Sequence, residues 1–468
     1  MIFTEFRFLF FFLAVFCVHW SLRSNRSRKV WLLLTSYAFY AGWDWRFLSL
    51  LLISTVVDYL AGRGIAATPD ERTRKRWVAF SCITNLGLLG VFKYRGFFVD
   101  SAREFLSFLG LDVGHSTLSI VLPVGISFYT FQTLSYTLDV YRGRCEVRKS
   151  PLDLALFVAF FPQLVAGPVV RARRFLPQLD STRRFADVEV RALVLLFLVG
   201  FFKKACISDN VHVLVDAFFA DPAAYTFGAA WSAVTLFTVQ IYCDFSGYSD
   251  MAVACGGLLG YRLPVNFRFP YLAGNVRDAW QRWHISITTW FRDYFYAALG
   301  GGRGSSWQAA RNVLLTMLVV GIWHGPSWRF VLWGGAHGVA LIFHRWWSGL
   351  KIARALRRKV PGAVWVGVTF VWACTTMILF RAPDLATAWT TLGSFLAFRS
   401  PGSASFGAGP FLLLAFLAAL HVGARRHLLR RHWQSAPSWA FSLLCGVFAG
   451  LILILMKGVV QPFIYFQF

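Results

Sequence analysis

The run Gly321-Ile322-Trp323-His324-Gly325-Pro326 closes one apolar stretch and leads into the next, which opens at Trp328. It puts an imidazole at membrane depth beside helix-breaking Gly and Pro. Ionisable groups in such places are costly, and by default they mark function. Imidazole is also the side chain best matched to proton transfer near neutral pH. The plain alternative is a ring hydrogen-bonded to a carbonyl of the broken helix. A second candidate is Trp280-Gln281-Arg282-Trp283-His284-Ile285-Ser286-Ile287, which feeds an amphipathic segment, Thr288 to Leu299, ending at Gly300-Gly301-Gly302. Arg282 and His284 could bind an anionic donor or orient a carbonyl. An interfacial helix with an aromatic belt accounts for the same residues without chemistry. His337 and His344 are seven apart on one helical face, which makes them neighbours without giving them a role. His19, His115, His212, His421, His427 and His432 fall at interfaces or in basic loops, and no role is assigned to them.

Several chemistries are absent. There is no G-x-x-x-x-G-K-[ST] loop to cradle nucleotide phosphates and no G-x-S-x-G nucleophile elbow. None of the ten histidines has an Asp five positions downstream, the spacing used by soluble glycerolipid acyltransferases. No carboxylates are paired as in glycosidases. The eight cysteines contain no C-x-x-C, so they read as packing residues and not as metal ligands or a redox pair. No metal site is expected.

The elements that must position these residues are membrane helices. The chain has 468 residues, of which 57% are hydrophobic and 15% charged, against roughly 45–50% and 25% in a soluble domain. A soluble fold of this length has too little interior to hide that surface. Candidate spans are Phe3–Trp20, Val30–Trp43, Phe47–Gly62, Trp77–Tyr94, Leu118–Val140, Leu152–Val170, Ala192–Phe219, Ala229–Phe245, Val313–Trp323, Trp328–Trp347, Val364–Phe380, Phe411–Val422 and Trp439–Met456. The predicted fold is therefore an all-α polytopic membrane protein with about 11–13 transmembrane or re-entrant helices, by the length a span needs. They would surround a central intramembrane pocket within a single domain, 1–468. The apolar Met1–Trp20 lacks a basic n-region and a cleavage site, so it reads as a first membrane helix.

Lys and Arg number 47 against 22 Asp and Glu, a net charge of +25. The basic clusters alternate with the apolar spans, as loop charges that set orientation do, and this excludes nucleic acid as the partner. The loops Arg23–Lys29, Arg142–Lys149 and Arg345–Lys359 are predicted to be cytoplasmic. For Arg171–Arg191 to keep that pattern, Leu152–Val170 must turn back within the membrane, as its Pro162, Gly167 and Pro168 suggest. A second irregular stretch is predicted from Asp244 to Gly304, with broken helices around a polar pocket.

Several of these runs carry a resemblance. Leu122-Pro-Val-Gly-Ile-Ser-Phe-Tyr-Thr-Phe-Gln-Thr-Leu-Ser-Tyr-Thr-Leu-Asp-Val-Tyr-Arg-Gly143, Phe160-Phe-Pro-Gln-Leu-Val-Ala-Gly-Pro168, Trp283-His-Ile-Ser286, Trp290-Phe-Arg-Asp-Tyr294, Trp323-His-Gly325 and Phe463-Ile-Tyr-Phe-Gln-Phe468 occur in this order. Together they resemble the membrane-bound O-acyltransferase family, in its bacterial alginate O-acetyltransferase branch. The match runs from about Leu32 to the C-terminus. It departs at Ala297-Ala298-Leu299-Gly300, where relatives often have Ile-Pro before Leu-Gly, and at Gln281, where they commonly carry Arg.

The resemblance implies that His324 and His284 are catalytic. His324 would be the general base, and His284, with Arg282, would orient the acyl carbonyl. Arg282, Trp283, Trp323, Gln281 and Asp293 would contribute to substrate binding. It further implies a bacterial inner-membrane enzyme with no tightly bound cofactor, drawing acetyl groups from a cytoplasmic donor such as acetyl-CoA for an extracytoplasmic polysaccharide such as alginate. A periplasmic serine-hydrolase-type acetyltransferase and a polysaccharide biosynthesis complex are the implied partners. The alternatives are D-alanyl transfer to teichoic acid from a carrier protein, and, in another class, a polysaccharide or lipid transporter. The absence of matching half-chain repeats weighs against the transporter.

Overall fold

The computed structural model describes residues 2–111, 121–425, 436–458 and 461–464. His115, His427, His432, residues 118–120 of the predicted Leu118–Val140 span, the basic run beyond Arg425 and the terminal 465–468 lie outside them. Among the described residues all regular elements are helical, and the sole β pairing is an isolated bridge between Tyr225 and Ala404. In chain order the helices are α1 (Phe6–Ser21), α2 (Asn25–Asp44), α3 (Leu48–Ala66), α4 (Glu71–Leu89), α5 (Arg95–Phe108), α6 (Ile126–Tyr141), α7 (Pro151–Ala159), α8 (Phe161–Leu164), α9 (Ala172–Phe175), α10 (Val190–Phe201), α11 (Asp209–Ala220) and α12 (Phe227–Leu258). There follow α13 (Val276–Arg282), α14 (Ile285–Trp290), α15 (Ser306–His324), α16 (Trp328–Gly349), α17 (Lys351–Lys359), α18 (Gly362–Arg381), α19 (Leu385–Leu396), α20 (Gly409–Arg425) and α21 (Ser438–Leu455).

Four helical stretches among the described residues are long and apolar enough to cross a membrane: Asn25–Ala66, Glu71–Phe108, Gly362–Arg381 and Ser438–Leu455. The first two each fuse neighbouring helices. The chain is an all-α polytopic membrane protein, as the composition requires. It divides into two compact units, Met1–Leu193 with Ala252–Pro264, and Val194–Met251 with Val265–Phe468.

In the first unit the core is partly polar. Asp58 on α3 is fully buried; its carboxylate accepts from Thr137 Oγ1 (2.5 Å), Asn85 Nδ2 (2.9 Å) and the Ser81 hydroxyl. These bonds knit α3, α4 and α6, and among the described residues no cation pairs with the carboxylate. Buried polar groups must be satisfied internally in this way when no water competes. The predicted Leu152–Val170 segment is broken: α7 has nine residues, about 14 Å at 1.5 Å per residue, too short to cross a bilayer. The break falls at Phe160, and Pro162 sits in the first turn of α8, where its missing N–H costs nothing. His19, near the end of α1, is fully buried with its ring on Trp20 at 5.0 Å.

In the second unit two departures from the predicted elements share one cause. The irregular stretch expected from Asp244 starts only after Leu258, because α12 runs on for 32 residues. The predicted Ala192–Phe219 span is two helices joined by a π-helical segment, Phe202–Ser208. That segment presents Lys204 to Asp244 (2.6 Å) and Asp209 (2.8 Å), and Lys203 to Asp250 (2.7 Å). With its carboxylates neutralised, α12 continues as a helix through residues that would otherwise end an apolar span.

Candidate active site

The two motif histidines both lie in the second unit. His324 is the last residue of α15 and is 4% exposed. Gly325 follows in an extended conformation, and Ser327 caps α16 by accepting from the Arg329 N–H. The two helices pack glycine to glycine one turn before His324. A Cβ on Gly321 would run into the Phe330 carbonyl, and one on Gly334 into the Met317 carbonyl. This close approach fixes the imidazole, whose ring meets Trp323 (4.8 Å), Trp333 (4.8 Å) and Phe380 (5.3 Å).

His284 is 1% exposed and takes left-handed backbone angles (φ 43°, ψ 50°) as the N-cap of α14. A non-glycine residue there is strained, and such strain concentrates at functional sites. Asn266 compensates. Its backbone carbonyl accepts from the Ile285 N–H at 2.9 Å. Its side-chain Oδ1 accepts from the Ser286 N–H (3.1 Å) and Ser286 Oγ (2.9 Å) and lies 3.1 Å from His284 Nδ1. Because a backbone N–H can only donate, the Ser286 contact identifies the Asn266 atom as oxygen. His284 Nδ1 must therefore carry the proton, and in the neutral ring Nε2 carries the lone pair. Phe245 packs edge-on against the ring at 4.5 Å.

Trp323 connects the pair: its indole lies 5.8 Å from the His284 ring and 4.8 Å from the His324 ring. Trp283 is buried and, with Tyr271, Trp280, Trp333 and His337, lines a cavity of about 50 Å³, room for a few waters. The structure thus brings together His324, His284, Trp323 and Trp283. Arg282 points elsewhere, paired with Asp278 on its own helix at 2.7 Å. Gln281 is exposed on α13, and Asp293 pairs with Arg292 at 2.7 Å. Asn266 went unnoticed in the sequence. A polar residue in Pro264-Val265-Asn266-Phe267 was the available signal, but nothing local ties it to a histidine 18 residues later.

A helical membrane enzyme with two buried, aromatic-packed histidines, one held in a defined tautomer, is the class that fold and site define. Residues 146–381 match the MBOAT, membrane-bound O-acyltransferase family. The chain is 41% identical over 399 residues to the "Probable alginate O-acetylase AlgI" of Pseudomonas aeruginosa, covering 85% of this chain and 75% of that protein. It is 34% identical over 407 residues to the "Peptidoglycan O-acetyltransferase" of Helicobacter pylori, covering 81% and 76%. Similarity to the "Teichoic acid D-alanyltransferase" of Streptococcus thermophilus is 27% over 267 residues, 53% of this chain and 63% of that one. The chain belongs to the membrane-bound O-acyltransferase family and is an O-acyltransferase.

Proposed function

We propose that the chain moves acetyl groups from a cytoplasmic thioester donor, acetyl-CoA, toward hydroxyls of an extracytoplasmic polysaccharide such as alginate, in a bacterial inner membrane. The observation that carries the reading is the pair of buried histidines meeting at Trp323 in a chain of this family. Acetyl transfer is favoured over D-alanyl transfer because similarity to the acetylases is higher and covers more of the chain.

In the reaction the acceptor oxygen attacks the thioester carbonyl carbon and the C–S bond breaks. His324 takes the hydroxyl proton and returns it to the departing thiolate. Stabilising charge on the acyl oxygen would require an N–H at His284 Nε2, and Asn266 holds the ring proton on Nδ1 instead. Neutral His284 therefore receives a hydrogen bond, from a substrate hydroxyl or amide N–H, and so orients that group. Trp323, Trp283 and Trp333 keep water from the thioester. Gln281 on α13 and Asp293 just beyond α14 contribute to substrate binding, while Arg282, held by Asp278, steadies α13. The whole chain, 1–468, works as one acyltransferase domain, with a periplasmic serine-hydrolase-type acetyltransferase and a polysaccharide biosynthesis complex as partners.

The test is His324→Gln, which keeps size and some hydrogen bonding but cannot take a proton at neutral pH. Glycan acetylation by cells carrying this variant at normal abundance should drop about 10²–10⁴-fold, the contribution of a positioned general base. Wild-type acetylation would make His324 structural.

A further inference from the structure

The ion cluster beside α12 carries one carboxylate too many. Lys204 faces Asp244 at 2.6 Å and Asp209 at 2.8 Å, and all three side chains are no more than 5% exposed. One cation against two anions leaves a negative charge among the helices, where an uncompensated charge is costly. Close packing of α10 against α12 builds the cluster. A Cβ on Gly200 would run into the Gly247 carbonyl, and one on Gly247 into the Gly200 carbonyl. Lys204, one turn past Gly200, therefore reaches Asp244, one turn before Gly247.

Backbone completes the cluster. The Ile464 N–H donates to Asp244 Oδ2 at 2.8 Å, and the Gln461 N–H is drawn to Asp209. Both belong to the segment 461–464, which lies outside the described helices. The segment follows α21, and near the end of that helix the Leu455 carbonyl accepts from Asn210, next to Asp209, at 3.0 Å. Buried non-helical backbone in a membrane protein must find its partners within the protein, and a carboxylate is a stronger acceptor for an N–H than a neutral oxygen. The surplus carboxylate and the buried N–H groups satisfy each other.

The segment held in this way bears on the site. Phe463 packs on Phe245 at 5.5 Å and on Tyr248 at 5.2 Å, both buried on α12. Phe245 directly follows Asp244 and packs on the His284 ring at 4.5 Å. Phe267, beside Asn266, also packs on Phe245, at 5.1 Å. His284 thus has two supports, Asn266 Oδ1 at its Nδ1 and the Phe245 ring at its side.

We propose that Asp244, held by Lys204, is a positioning residue for acyl transfer: it fixes the segment 461–464 through the Ile464 N–H, so that Phe463 braces Phe245 and Phe245 braces His284. The proposal rests on the role given to His284 above and adds what keeps that ring in place. A cluster serving only the continuity of α12 would show the same ion pairs with no donor from this segment.

The test removes the donor and leaves the ion cluster intact. Ile464→Pro lacks the N–H, whereas Ile464→Ala keeps it and gives up side chain instead. Phe463 lies outside regular structure, so a proline after it interrupts no described helix. Glycan acetylation is measured in cells carrying each variant at wild-type abundance, with the size-exclusion profile of the purified full chain as the check on folding. Ile464→Pro should acetylate about tenfold more slowly than Ile464→Ala, the factor that one buried hydrogen bond to a charged group carries. Asp244→Asn leaves Lys204 paired with Asp209 and offers Ile464 a neutral acceptor, so its rate should fall between the two. The loss must also pass through His284. Asn266→Ala loosens the same ring, so adding Ile464→Pro to it should cost under about threefold, where independent effects would multiply. Equal rates for Ile464→Pro and Ile464→Ala overturn the proposal. So does full multiplication with Asn266→Ala, which would mean that the segment acts elsewhere. Wild-type acetylation by His284→Ala overturns instead the role given to His284.

Discussion

Asn266→Ala should slow the enzyme without touching either motif histidine. Asn266 Oδ1 accepts from Ser286 N–H, Ser286 Oγ and His284 Nδ1, and all three donors sit on buried residues. Truncation leaves His284 free to exchange tautomers and unlocks its left-handed backbone. The loss of one buried hydrogen bond with a donor left unpaired costs roughly 1–3 kcal/mol. If that energy is what holds His284 in its working orientation, transfer slows about 5- to 150-fold, at 1.36 kcal/mol per tenfold in rate. Asn266→Asp retains an oxygen at the same place and replaces Nδ2, which has no hydrogen-bond partner among the described residues, with a second oxygen at the cost of a buried carboxyl; its activity should exceed that of the alanine variant. The assay is acetyl transfer by purified protein in nanodiscs, normalised to folded protein by size-exclusion profile. An alanine variant that is monodisperse and as fast as wild type would mean that the tautomer of His284 is irrelevant, and the role given to it would be wrong.

Two further outcomes follow from packing and charge. Gly334→Ala places a methyl group against the Met317 carbonyl, so α15 and α16 must separate; overpacking of this kind costs about 1–3 kcal/mol, and the variant should show both a lower melting temperature in detergent and reduced transfer, because His324 terminates α15. The Arg148 guanidinium, bound to both carboxylate oxygens of Asp180, holds that carboxyl below its ordinary value of 3.8. A depressed folded value stabilises above the unfolded one and is lost as pH falls through the lowered value. The Asp180 side chain is 54% exposed, so solvent screening leaves under about 1 kcal/mol: Arg148→Gln should melt slightly below wild type at neutral pH, and the two curves should converge once pH drops well under 3.8.

What could be read from the sequence depended on whether the determining interaction was local. Glycine and proline around His324 broke the helix where expected, because those residues act on their own backbone. The length of α12 could not be read that way. Asp244 and Asp250 look like the end of an apolar span until Lys204 and Lys203, some forty residues earlier, are seen to neutralise them. The π-helical segment that presents these lysines has no pattern of its own, since one extra residue in a turn leaves the apolar run intact. One fused stretch, Asn25–Ala66, accounts for two spans counted separately, Val30–Trp43 and Phe47–Gly62, for the same reason: hydropathy registers where apolar residues stop, not where the backbone does.

The site follows the same division. Both histidines were marked by unusual neighbours, but their roles depend on partners that spacing cannot supply. Arg282 looked suited to bind an anion because it adjoins His284, yet an acid one turn earlier on α13 takes its guanidinium at 2.7 Å, a pairing that i,i+4 spacing favours. Asn266, which decides the tautomer of His284, is an unremarkable polar residue in a turn until the fold brings it there. His337 is the converse case. Helical spacing made it a neighbour of His344, and only its burial beside a cavity, with both nitrogens unpaired among the described residues, sets it apart.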